Sequence, residues 1–126
     1  MAKPKPARIL ASAAVLLWFA VDAFAHAEIE TCQPPIDATT RSAPDSIVCT
    51  TSEAMDPKRS SLRVFDSTGT KVDRGNPRVD DAGRKTISVS LDPSKMGEGV
   101  YTVRWKTLSA DDGDEAGGEF RFTVGK

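Results

Sequence analysis

The chain reads as an all-β protein, a sandwich of short antiparallel strands. Three observations predict this. Apolar and polar residues alternate over short runs rich in β-branched and aromatic side chains. No segment sustains a helical period. Turn-forming residues punctuate the runs: Pro34, Pro35, Pro44, Pro57, Pro77 and Pro93 mark loops and strand edges, and Gly69, Gly75, Gly83, Gly97 and Gly99 fall where turns are expected. Half-polar alternation fits antiparallel sheets with one wet face each.

The elements follow in order. Residues 27–31 and 47–51 are the earliest expected strands. Ser61–Phe65 follows, with Leu62 and Val64 on one face. Asp66, Ser67, Thr68 and Gly69 make a turn, and Lys71 and Val72 open a returning strand. Residues 86–91 alternate cleanly, with Ile87, Val89 and Leu91 inward. Residues 100–108 put Tyr101, Val103 and Trp105 on one face and Thr102, Arg104 and Lys106 on the other. Residues 119–124 close the set, with Phe120, Phe122 and Val124 inward. Tyr101 and Trp105 read as core anchors.

Ahead of these strands lies a secretory leader. Lys3, Lys5 and Arg8 form a positive start, residues 9–20 an apolar centre, and Ala23-Phe24-Ala25 a small-x-small cleavage site. The apolar centre, about a dozen residues followed by Asp22, is too short for an ordinary membrane span. The expectation is therefore a cleaved leader over residues 1–25 and one exported domain over residues 26–126. Roughly 100 residues suffice for a single modest core. No membrane insertion is expected after cleavage.

Taking Lys3, Lys5, Arg8 and Asp22 from the 17 basic and 18 acidic residues leaves 14 and 17, a net charge of −3. That argues against nucleic acid or an anionic membrane as the main partner. Cys32 and Cys49 are the only cysteines. An oxidising compartment favours a disulfide between them, with free thiols and thiolate metal ligation as the alternatives.

Cleavage after Ala25 would make His26, the only histidine, the new N-terminus. Its α-amine and imidazole could then close a chelate ring around a metal ion, with Cu(II) the natural candidate. The competing reading is an incidental polar residue beside a cleavage site. An α-amine has a pKa near 8, so Cu(II) must displace a proton to use it, and affinity should fall steeply as pH drops toward 6.

The motifs agree in order with a known family. They are His26-Ala27-Glu28, Pro34-Pro35, Ser42-Ala43-Pro44, Ser52-Glu53, Met55-Asp56-Pro57 and Val64-Phe65-Asp66 with Gly69. They continue with Gly99-Val100-Tyr101-Thr102-Val103-Arg104-Trp105, Ser109-Ala110-Asp111-Asp112-Gly113 and Gly118-Glu119-Phe120-Arg121-Phe122-Thr123-Val124. The mature chain resembles CopC-type periplasmic copper-binding proteins throughout. The resemblance implies a seven-stranded Greek-key sandwich of cupredoxin- or immunoglobulin-like shape and a periplasmic location. It implies Cu(II) held by the leading histidine and by an Asp-Gly-His stretch before the last strand.

Carried over by residue, His26 matches the leading histidine. Asp112 matches the aspartate if Gly113 is the family glycine, whereas counting from Ser109 selects Asp111. Asp114 stands where the family has its second histidine. A site of amine, imidazole, Asp112 and Asp114 would give Cu(II) two nitrogens and one or two oxygens, with weaker selectivity against Zn(II) and Ni(II). The family's methionine-rich segment is missing, with Met55 and Met96 isolated. Glu28 is a candidate for an outer-shell acceptor. The cysteine pair is a further departure, and a bridge there would pin the strand that follows His26.

Two functions compete. One is a monomeric periplasmic copper protein, not an enzyme, that sequesters Cu(II) or passes it to an inner-membrane importer. The other is a sandwich that has lost its metal site and serves as an interaction or structural domain. Histidine-brace oxygenases need a second histidine, which this chain lacks.

Overall fold

The computed structural model describes residues 26–125. The leader expected over residues 1–25 lies outside the described residues. Eight strands pair in the described chain: β1 (Ile29–Gln33), β2 (Thr39–Thr40), β3 (Ser46–Thr51), β4 (Ser61–Phe65), β5 (Arg78–Val79), β6 (Thr86–Ser90), β7 (Gly99–Leu108) and β8 (Glu115–Val124). One sheet runs β1-β3-β6-β5 and the other β2-β8-β7-β4. Every pairing is antiparallel except β2 beside β8. The count exceeds the seven that the resemblance implies. Two of the eight, β2 and β5, are two-residue edge segments too short to carry an alternation.

Alternation sets which side chains the sheets bury. Ile47, Cys49, Ile87 and Val89 face inward from one sheet, and Leu62, Val64, Tyr101, Val103 and Phe122 from the other. Tyr101 and Phe122 stack with ring centroids 5.3 Å apart. The Tyr101 hydroxyl donates to the Gly97 carbonyl at 2.6 Å and ties the start of β7 to the preceding turn. Burial pushes its phenol pKa up. Trp105 is half-buried at the margin of the core, lying over Gly118, where an added Cβ would meet the indole at 3.1 Å. A side chain there would press on the indole, which would have to give by a few tenths of an ångström.

The segment after β4 crosses between the sheets. Lys71 bridges back to Phe65, and two residues later Asp73 bridges to Leu91. Val72 fills the core between them. The buried Asp73 carboxylate accepts from the backbone N–H of Val64 at 2.8 Å and of Gly75 at 2.7 Å. A polar group buried at this corner is thereby satisfied. The expected returning strand at Lys71 and Val72 is thus a corner, because its next residue pairs with the opposite sheet.

Cys32 and Cys49 form a disulfide between directly opposed residues of β1 and β3. Cys32 lies within β1, which is set two residues later than the 27–31 expected from sequence. β1 is an edge strand with β3 as its one neighbour and an irregularity between Ile29 and Thr31. The bridge holds that edge.

Candidate metal centre

Three segments meet at one end of the sandwich. Residues 26–28 lead into β1, residues 52–56 follow β3, and residues 109–114 join β7 to β8. Backbone and hydroxyl groups lace them together. Ala27 is fully buried, and its carbonyl accepts from the buried Thr107 hydroxyl at 2.7 Å. The Ser52 hydroxyl accepts from the Glu28 N–H and donates to the His26 carbonyl, both at 3.1 Å. The Glu28 N–H also reaches the His26 carbonyl at 3.0 Å, a three-residue turn about Ala27. In return the Glu28 carbonyl accepts from Ser52 N–H at 2.9 Å.

The aspartate loop is anchored at its root. Ser109 bridges Met55, and Ala110 N–H donates to the Ala54 carbonyl at 2.9 Å. The loop closes on itself through Gly113 N–H to Ser109 carbonyl at 3.0 Å and Ser109 N–H to Asp114 carbonyl at 2.9 Å. Gly113 has φ of 75°, a left-handed conformation that the closing turn demands and glycine adopts freely.

His26 is partly exposed, its Nδ1 3.6 Å from Glu28 Oε2. Asp111 and Asp112 are exposed, and Asp114 is half-buried. Asp112 turns Oδ1 toward its own loop, 3.4 Å from the Asp114 N–H. Among the described residues no three His, Cys, Asp or Glu side chains converge as a metal-holding group. The structure thus brings His26 and Glu28 side by side, and the aspartates to the same end without closing them on the imidazole. Glu53, half-buried in the middle segment, and Asp56 add acidic groups that the sequence showed as motif residues but not as ligand candidates.

The donor chemistry suits a borderline cation with mixed nitrogen and oxygen preference, as Cu(II) has. An imidazole and several carboxylates are present. Soft sulfur donors are spent elsewhere: both cysteines are in the disulfide, Met55 is fully buried, and Met96 packs against the core. One buried side-chain polar atom among the described residues lacks a partner, the Ser109 hydroxyl at the root of the aspartate loop. That orphan marks the loop root as incompletely satisfied.

Fold and site together define a small β-sandwich with a donor-rich end. The chain belongs to the CopC domain family, whose model matches residues 29–125. Two solved structures share the fold. CopC from Methylosinus trichosporium OB3b aligns with a TM-score of 0.69 at 22% identity, covering 79% of this chain and 94% of that one. PcoC from Escherichia coli, a methionine-rich copper resistance protein, aligns with a TM-score of 0.65 at 24% identity, covering 79% and 99%. No curated protein matches the chain.

Proposed function

We propose that this chain is an exported, periplasmic copper-handling protein, not an enzyme, that binds Cu(II) once its leader is removed after Ala25. The α-amine and imidazole of His26 supply two nitrogens. Carboxylate oxygen comes from Asp112 or Asp111, with Asp114 in place of the family's second histidine. The protein, a monomeric Greek-key sandwich of cupredoxin-like shape, sequesters the ion or passes it to an inner-membrane importer.

The observation that carries this reading is the anchoring of His26. In a CopC-domain chain, the one histidine sits three residues before the matched region, on a segment fixed by Ala27 and Ser52. The scarcity of accessible sulfur favours Cu(II) over Cu(I). A second reading, a sandwich that has lost its metal site, draws on the lack of a converged third donor among the described residues.

The test is a Cu(II) titration followed by EPR on protein beginning at His26, beside a copy with one extra N-terminal residue. The expected result is one tightly bound Cu(II) with nitrogen coupling, lost in the extended copy. Equal or equally weak binding by both would overturn the proposal and leave the second reading.

A further inference from the structure

We propose that Glu28 is a direct oxygen ligand, so that His26-Ala27-Glu28 forms a local three-donor chelate. This rests on the Cu(II) reading above and adds a residue to it. The turn about Ala27 sets the geometry. Ala27 is a plug: its side chain is fully buried and its carbonyl is held by Thr107. The residues on either side are drawn together by the Glu28 N–H to His26 carbonyl bond, and Ser52 grips both ends of that bond with one hydroxyl. With the middle residue buried, the flanking side chains emerge on the same side.

The distance between them is informative. His26 Nδ1 and Glu28 Oε2 are 3.6 Å apart. That is too long for a hydrogen bond. Two donors bound to one ion at about 2 Å each lie about 2.8 Å apart when adjacent and about 4 Å apart when opposite. The observed 3.6 Å lies between the two, so a side-chain rotation must bring the atoms closer before both bind one ion as neighbours. The pair is close enough for side-chain rotation to make that approach. Glu28 is also exposed enough to adjust, its side chain 58% accessible against 35% for His26.

The arrangement compensates for the aspartate loop. Asp111 and Asp112 are exposed, and Asp112 turns toward its own backbone. Glu28 needs a smaller adjustment, because the turn has already set it beside the imidazole. Preorganisation lowers the ordering cost of binding.

The experiment uses protein beginning at His26, with Glu28→Gln and Asp112→Asn variants, each confirmed folded by an unchanged thermal melt. Cu(II) affinity is measured by competition, and the bound ion by EPR. Glu28→Gln is expected to weaken binding by about tenfold or more, the loss usual for removing even an outer-shell partner. Its EPR parameters should shift while nitrogen coupling persists. Unchanged affinity in Glu28→Gln would overturn the proposal and leave the Cu(II) reading intact. Weaker binding with an unchanged spectrum would also overturn it, since the carboxylate would then act only as a nearby charge. Absence of tight binding in the parent protein would overturn the Cu(II) reading itself, and this proposal with it. Asp112→Asn reports separately on the loop.

Discussion

Replacing Thr107 with valine tests how firmly the N-terminal segment is built into the sandwich. Thr107 is 1% exposed and its hydroxyl donates to the carbonyl of the fully buried Ala27 at 2.7 Å. Valine keeps the β-branched shape that the strand prefers and removes only the donor. The Ala27 carbonyl is then buried without the hydrogen bond it has now. Leaving such a group unsatisfied costs about 1–3 kcal/mol. Taking about 2 kcal/mol, and about 4–8 °C per kcal/mol for a domain of this size, Tm should fall by roughly 8–16 °C. The assay is a thermal melt of metal-free protein beginning at His26, followed by the Cu(II) titration. Affinity should fall as well, because the turn that presents His26 and Glu28 hinges on this bond. A Tm within about 2 °C of the parent would refute the reasoning, since that shift is worth less than about 0.5 kcal/mol. The carbonyl would then be finding another partner, and the segment would not be fixed by β7.

Two further outcomes follow from the structure. Reducing the Cys32–Cys49 bridge, which spans a sequence separation of 17, should cost about 3 kcal/mol on the chain-entropy account and lower the urea midpoint by roughly 1–3 M. An unchanged midpoint would mean that β1 is held by its ladder alone. Asp66 accepts from the Thr68 hydroxyl, and then from Thr70 N–H and Thr68 N–H, bonds that hold its carboxyl below the usual carboxylate range. A lowered folded-state pKa gives stability that is present above the unfolded value and lost as pH falls through the folded one. The Tm gap between parent and Asp66→Ala should therefore narrow on acidification below the ordinary carboxylate range. A gap that stays constant with pH would assign the effect to the turn backbone instead.

The strands that alternate were legible from the residues. Ser61–Phe65 is found with the bounds the pattern gives, and the inward sets Ile87 with Val89, and Phe120 with Phe122, are buried as expected. Leu91 is buried too, although β6 ends one residue before it. What escaped notice lacks a pattern. The first part of β8, from Glu115 to Gly118, is polar and glycine-rich, and it is extended because it pairs with β7 from Trp105 to Leu108. Strands β2 and β5 are too short to alternate. The frame of β1 was obscured by the irregularity between Ile29 and Thr31, which breaks a period of two. Met55 reads as an isolated methionine, yet it is fully buried, because its bridge to Ser109 folds it beneath the aspartate loop. That contact is long-range and leaves no trace in local sequence.

The site divides along the same line. His26 and the aspartates stand out as residue types, but the nearness of Glu28 to the imidazole depends on a turn that only Ala27, Ser52 and Thr107 together enforce. Position 114 shows how the hairpin can form whatever side chain stands there. The contribution of Asp114 to the loop is its backbone: its carbonyl accepts from Ser109 N–H, and its N–H lies toward Asp112. Those bonds are indifferent to the side chain. A histidine and an aspartate therefore serve these backbone bonds of the hairpin equally. Ala27 is the reverse case, buried and tied by its carbonyl. Substitution at 114 should move metal affinity with little change in stability, whereas loss of the Ala27 anchor should move both. That separation makes the two-residue reach from His26 to Glu28 the part of the site most dependent on the sandwich itself.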